Sequence, residues 1–102
     1  MRYLLTGDLI SAKEAFDMGL VSEIVADAEV EKRAITMAQQ IAELSPLALE
    51  QIKECVLRGL DASLDSGLAL ETKAIQMLFA SQDQKEGMAA FIEKRKPRFT
   101  GR

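Results

Sequence analysis

The residues able to do chemistry are few, and their types narrow the field quickly. The chain contains no His, which removes an imidazole base, a His-based triad and a His metal site. Its single Cys55 allows neither an internal disulfide nor a paired-thiol metal or redox site, and suits a reducing compartment. Cys55 lies in the apolar-flanked run Glu54-Cys55-Val56 with no base beside it, so it reads as a helix-packing residue. The six glycines are scattered, and none forms a phosphate-cradling GxxxxGK or GxGxxG run. Carboxylates remain as acid/base candidates, but none has the spacing of a calcium loop, and no metal ligand set is expected. Glu71 stands out, three residues after Leu68 and four before Ile75 on an apolar face. Such a carboxyl is raised in pKa if left unpaired; pairing with a cation or capping a neighbouring helix is the commoner fate. Glu50 and Glu54, four apart beside Lys53, read as a solvated face.

Charge placement says more than the net value of −3. Residues 85–102 carry six basic and two acidic side chains, whereas residues 1–84 carry seven basic and 14 acidic ones. An acidic body with a basic end fits local attraction of an anion, or a solvated helix terminus, better than a nucleic-acid surface. The five aromatics, Tyr3, Phe16, Phe79, Phe91 and Phe99, are too few for a base-stacking platform. No apolar run approaches the ~20 residues of a membrane span, and no secretory leader opens the sequence. With 102 residues, 48% of them hydrophobic, the chain has room for one domain or a piece of one. A chain of this size buries roughly two thirds of its unfolded surface.

Helices must position whatever these residues do. Met1–Gly7 reads as the last turns of a helix stopped at Gly7, with no capping residue before it. Ser11 and Glu14 have capping-box spacing and open a short helix that stops at Gly19. Leu20–Val25 is the one β-prone run. Asp27 is placed to cap a helix with Val30, Ala34, Met37, Ala38, Ile41 and Leu44 on one face. Ser45-Pro46 starts the next, with Leu49, Ile52, Val56 and Leu60 in register, broken at Gly59 and Asp61. Ser63 opens a helix with a broad face of Leu64, Leu68, Ala74, Ile75, Leu78 and Phe79. Ser81 and Gln84 form another capping-box pair, and Lys96-Pro97 ends the last helix near Lys94 or Arg95. The fold class is therefore mainly α, an array of antiparallel helices with at most one short strand. Its apolar faces are wider than so small a set requires, which implies a covering partner.

Two stretches carry a family resemblance. Asp83, Glu86, Gly87, Ala90, Phe91, Glu93, Lys94, Arg95, Pro97, Phe99 and Gly101 follow a D-x-x-E-G-x-x-A-F-x-E-K-R-x-P-x-F-x-G pattern. Leu5, Thr6, Gly7, Ile10, Ala12, Glu14, Ala15, Gly19, Leu20 and Val21 follow L-T-G-x-x-I-x-A-x-E-A-x-x-x-G-L-V, and Ser45, Pro46 and Ala48 follow S-P-x-A. Together, in this order and separation, they resemble the C-terminal region of the enoyl-CoA hydratase/isomerase (crotonase) superfamily. The resemblance implies the helical, trimerisation part of a ββα spiral fold. Residues 1–25 would end the spiral core, 26–96 form the helical lid and oligomerisation region, and 97–102 the tail.

It further implies an enzyme of acyl-CoA metabolism that hydrates 2-trans-enoyl-CoA to 3-hydroxyacyl-CoA. The thioester is the substrate, no separate cofactor is needed, and the parent assembles as a trimer or a dimer of trimers. Phe91 and Lys94 would approach the adenosine 3′-phosphate end of coenzyme A, an aromatic face beside a cation. A core anchor is the alternative for Phe91. Lys94 falls three residues later, on the same side of a continuing helix. Arg95, Lys96 and Arg98 would supply field rather than contacts, and Gly87 would let the last helix lie close to a neighbour. The family's oxyanion hole and paired glutamates match no residue here, so no catalytic residue is assigned. A non-catalytic helical interaction module, without partner nucleic acid or membrane, is the alternative reading. The expected compartment is the cytoplasm or the mitochondrial matrix.

Overall fold

Capping chemistry sets the helix boundaries throughout residues 1–102, all of which the computed structural model describes. The chain divides into two units, Met1–Met37 and Ala38–Arg102.

In the first unit, α1 (Arg2–Thr6) ends where Gly7 takes a left-handed conformation at φ 70° and donates its N–H to the Tyr3 carbonyl. The Ser11–Glu14 capping box forms as its spacing predicts and opens α2 (Ala12–Asp17). The Ser11 hydroxyl accepts the Glu14 N–H at 3.2 Å, and a Glu14 carboxylate oxygen accepts the Ser11 N–H at 3.0 Å. The Tyr3 hydroxyl donates to the other Glu14 oxygen at 3.3 Å, tying α1 to α2. These bonds, those from Ser11 first, hold the Glu14 carboxyl below its ordinary pKa. The β-prone Leu20–Val25 run forms no strand. A strand needs a partner for its backbone ladder, and nothing else in these residues is extended enough to supply one. An ion pair from Arg33 to Glu23 at 2.6 Å fastens this run instead. Asp27 does not act as the expected side-chain cap. Ala26 holds the N-cap position of a 3-10 turn, Asp27–Glu29, that winds directly into α3 (Val30–Ala42).

The second unit contains α4 (Pro46–Gly59), α5 (Leu64–Phe79), α6 (Gln82–Glu93) and a tail. The hydroxyls of Ser45, Ser63 and Ser81 accept the N–H groups of Ala48, Ser66 and Gln84 and start the three helices. The reciprocal Gln84 bond of a full capping box is absent; the Arg102 carbonyl serves the first turn of α6, accepting the Gln82 and Asp83 N–H groups at 2.6 and 3.0 Å. α5 packs on both α4 and α6. Along α4 the positions Ala48, Gln51, Cys55 and Gly59 are partly covered, as are Leu47 and Leu49 in its first turn, and along α5 Gly67, Leu70, Ala74 and Leu78 are covered. These two stripes, rich in small residues, make the seam. A Cβ added at Gly67 would lie 3.8 Å from the Gly59 Cα, so the helices approach closely there. Cys55 sits in the seam, free and half-buried.

The tail folds back along α6 and is fastened at two carboxylates. Asp83, only 3% exposed, accepts from the Ser45 hydroxyl at 2.7 Å, the Thr100 N–H at 2.7 Å and the Gly101 N–H at 3.0 Å. Gly101 reaches this position at φ 74°, packed against the Pro46 ring. One turn along, Glu86 accepts from the Arg95 guanidinium at 2.6 and 2.9 Å and from the Arg98 N–H at 2.7 Å. Between them the Phe99 ring lies over Gly87, 3.5 Å from where a Cβ would stand. Gly87 thus makes room for an aromatic of the tail rather than for another helix.

The large apolar faces are where the periodicity puts them, but they are uncovered. The buried apolar residues are Ala15, Ala74 and Ala90, and no large side chain is fully buried. Ile41, Ile52, Val56, Leu64, Leu68 and Phe79 are each about half exposed or more. The chain exposes 8692 Å², against about 5,700 Å² for a folded monomer of its mass. The modest core expected from length and composition is not formed by these residues alone. No helix is long and apolar enough to cross a membrane.

The tail should release in acid. Burial by itself raises the Asp83 carboxyl, but the Thr100 amide, the Ser45 hydroxyl and the Gly101 amide together hold it below its ordinary value. The Arg95 guanidinium, then the Arg98 amide, lower Glu86 to about 2. Both carboxyls bind protons less readily in the folded state, so their stabilisation is complete above the ordinary carboxylate range and fades as pH falls toward about 2. Amide hydrogen exchange, corrected for intrinsic rates, should show Arg98, Thr100 and Gly101 protected at about pH 6 and unprotected near about pH 2.

Candidate functional site

The cationic end of the second unit sorts into committed and free charges. Arg95 is committed: Nη1 and Nη2 hold the Glu86 carboxylate as a fork, and Nε reaches Glu93 at 2.5 Å. Its own pKa is raised by these partners, Glu86 first. The expectation that Arg95 contributes field rather than contacts is therefore corrected, because its charge is spent on two neighbouring carboxylates. Lys96 makes an exposed ion pair with Glu43 at 3.7 Å, worth little in water. Lys85, Lys94, Arg98 and Arg102 form no ion pair.

Lys94 is the unusual one. It caps α6 in the left-handed region, at φ 54° and ψ 39°, and is the only residue other than glycine with positive φ. The Arg95 N–H returns to the Ala90 carbonyl at 3.0 Å and the Lys94 N–H to the Phe91 carbonyl at 3.3 Å. This is a Schellman turn with lysine where glycine is usual. A Cβ in this conformation costs about 1 kcal/mol or more. Strain of this kind clusters at ligand-binding and other functional positions. The helix ends at Glu93 with Lys94 as its cap, near the end expected from Lys96-Pro97, but the same-side relation of a continuing helix does not hold at Lys94.

Phe91 lies in the last turn of α6 and is 81% exposed. The core-anchor alternative does not apply to it within this chain. Phe91 and Lys94 thus stand at one helix end, an open aromatic face in the last turn and, at the cap, an ammonium without a carboxylate partner. Such a pair can recognise a flat anion; it has no nucleophile or base at hand. Glu71 lies on α5 between exposed Leu68 and Ile75, itself exposed and without an ion pair. No cluster of three or more potential metal-binding side chains occurs.

A nearby groove of about 530 Å³ is lined by Glu43, Leu44, Pro46, Lys96, Pro97 and Phe99 among others. Neither Phe91 nor Lys94 lines it. Sequence reasoning did not assign roles to Asp83 and Glu86, the two carboxylates that hold this end together. Their i, i+3 spacing on α6, opposite a tail that returns through Pro97 and Gly101, is the signal that was available.

Comparison with known proteins places these features in a family. The family model described as enoyl-CoA hydratase/isomerase matches residues 1–102. A probable enoyl-CoA hydratase of Rhizobium meliloti is 45% identical over 102 residues, 100% of this chain and 40% of that protein. The probable enoyl-CoA hydratase 2, mitochondrial, of Arabidopsis thaliana is 45% identical over 98 residues, 96% of this chain and 33% of its own. The crystal structure of enoyl-CoA hydratase subunit I from Geobacillus kaustophilus superposes with a TM-score of 0.92 at 48% identity, covering 99% of this chain and 39% of that one. The chain therefore spans between a third and two fifths of the length of these relatives. With the whole of its length matched and its helices superposing on a solved relative, the chain belongs to the enoyl-CoA hydratase/isomerase family.

Proposed function

We propose that the chain is the C-terminal helical lid and assembly part of an enzyme that hydrates 2-trans-enoyl-CoA thioesters to 3-hydroxyacyl-CoA. The observation that carries this reading is the uncovered apolar surface. Twenty-seven large hydrophobic residues are exposed, a number that only further protein surface can bury. Relatives two and a half to three times as long supply the kind of surface required. Residues 26–96 would form the covering and oligomerising part, and 97–102 the tail that braces it. The assembly would be a homotrimer or a dimer of trimers, in cytoplasm or mitochondrial matrix, where a free Cys55 remains reduced.

Phe91 and Lys94 would meet the adenine and 3′-phosphate of coenzyme A. The exposed ring, the unpaired ammonium and the left-handed backbone at Lys94 all support this role. Water addition and proton transfer would belong to residues outside this chain: Asp83 and Glu86, the two carboxylates that line one pocket together, are both taken up by donors from Ser45, Arg95 and the tail. The second reading, a non-catalytic helical interaction module, requires that the helices be self-sufficient; their exposure weighs against it.

Four outcomes test the proposal. The 102-residue chain alone should give no hydration of crotonyl-CoA above background, and measurable turnover would refute the assignment of the chemistry elsewhere. Size-exclusion chromatography with light scattering should find it self-associated or expanded; a cooperatively melting monomer favours the module. In the protein at its full natural length, Lys94→Ala should weaken coenzyme A thioesters more than analogues lacking the 3′-phosphate. Lys94→Gly should lose the same selectivity while raising stability by up to about 1 kcal/mol, because glycine adopts the left-handed turn without strain. Equal weakening of both ligands by Lys94→Ala removes Lys94 from the phosphate.

A further inference from the structure

We propose that Glu86 is a positioning residue for the Lys94 ammonium: by gripping Arg95 it locks the turn in which Lys94 stands and leaves a single free cation at its apex. The inference rests on the coenzyme A reading of Lys94 and goes beyond it by naming what holds that side chain in place.

The geometry has three parts. First, Lys94 is held in an unfavourable conformation by bonds made on either side of it. Arg95, the next residue, closes the Schellman turn through its backbone N–H to Ala90, and its guanidinium is gripped by Glu86 through both terminal nitrogens. Glu93, the residue before, takes the remaining Nε. One neighbour of Lys94 is thereby fixed to a carboxylate nine residues back, and the other is tied to that neighbour. Secondly, the grip is selective. Two adjacent cations, Lys94 and Arg95, face the same solvent, and an anion would otherwise choose the arginine, whose planar fork suits phosphate better. With Glu86 and Glu93 on its donors, Arg95 cannot compete, and of these two adjacent cations only the ammonium stays on offer. Thirdly, Glu86 also accepts the Arg98 N–H at 2.7 Å, which aligns the returning tail beneath the turn. One carboxylate thus fixes the turn, removes the rival cation and seats the tail.

The test uses the protein at its full natural length, with coenzyme A and 3′-dephospho-coenzyme A as probes and calorimetric affinities as the readout. Glu86→Gln keeps an acceptor for the Arg98 amide but surrenders the charge. It should reduce the preference for coenzyme A over its dephospho form roughly three- to tenfold, the cost of leaving a long side chain unordered. In a Lys94→Ala background the same substitution should change that preference no further. Arg95→Met, which severs the tether from the other side, should reproduce the loss, and it decides the matter should Glu86→Gln melt the tail.

A Glu86→Gln enzyme that weakens both probes equally, or whose preference rises because the released Arg95 takes the phosphate, overturns the proposal. So does a loss that persists without Lys94. If Lys94→Ala itself leaves the preference unchanged, the coenzyme A reading fails and takes the proposal with it. If Lys94→Ala removes the preference while Glu86→Gln and Arg95→Met do not, the positioning role alone fails.

Discussion

A buried carboxylate organises the second unit. Asp83 takes hydrogen bonds from the α4 cap, from the backbone of the tail and from the tail's own threonine, and burial without those donors would make it costly. Because its donors come from two distant stretches of sequence, Ser45 and residues 100–101, satisfying one acid joins three parts of the unit. The start of α4, the start of α6 and the return of residues 99–102 are set by a single acceptor group. The Arg102 carbonyl, laid over the first N–H groups of α6, completes the arrangement and leaves no orphaned donors at that helix end.

The same unit shows a division of labour between small and large residues. Close helix approach is achieved by Gly59, Gly67, Ala74 and their neighbours, so α4 and α5 cover only a few of their large apolar side chains, among them Leu70 and Leu78. The rest point outward. In a chain that had to be stable by itself, the leucines and isoleucines would occupy the seam, where burying each contributes roughly 1.5–3 kcal/mol. The inner contacts set the helix geometry, and the large apolar side chains stay on the exposed faces.

Charge follows a comparable economy at the end of α6. A composition of six cations suggests a broadly basic patch. Folding commits Arg95 to two carboxylates and leaves Lys94, on a strained turn at the same helix end as an exposed ring, without an ion pair, as it does Lys85, Arg98 and Arg102. The result is a narrower electrostatic feature than the sequence total implies. Proximity to carboxylates, rather than the number of basic residues, decides which cation a ligand meets.

Local signals were legible in the sequence wherever the physics was local. Ser11 with Glu14, Gly7, Ser45-Pro46, Ser63 and Ser81 act within four residues of their own positions, and each helix begins or ends close to where they stand. The family motifs were equally readable. Failures came where a long-range partner decides. Leu20–Val25 has the composition of a strand but nothing to pair with, and the Ala26–Val30 backbone winds into a 3-10 turn without using Asp27 as a cap. Amino-acid order alone determined the helices, their apolar faces and the family. Only tertiary structure decided which faces meet, that Asp83 and Glu86 bind the returning tail, and that Lys94 rather than Arg95 stays free. Those outcomes depend on groups brought together across nine to 38 residues, and spacing within one helix carries no information about them.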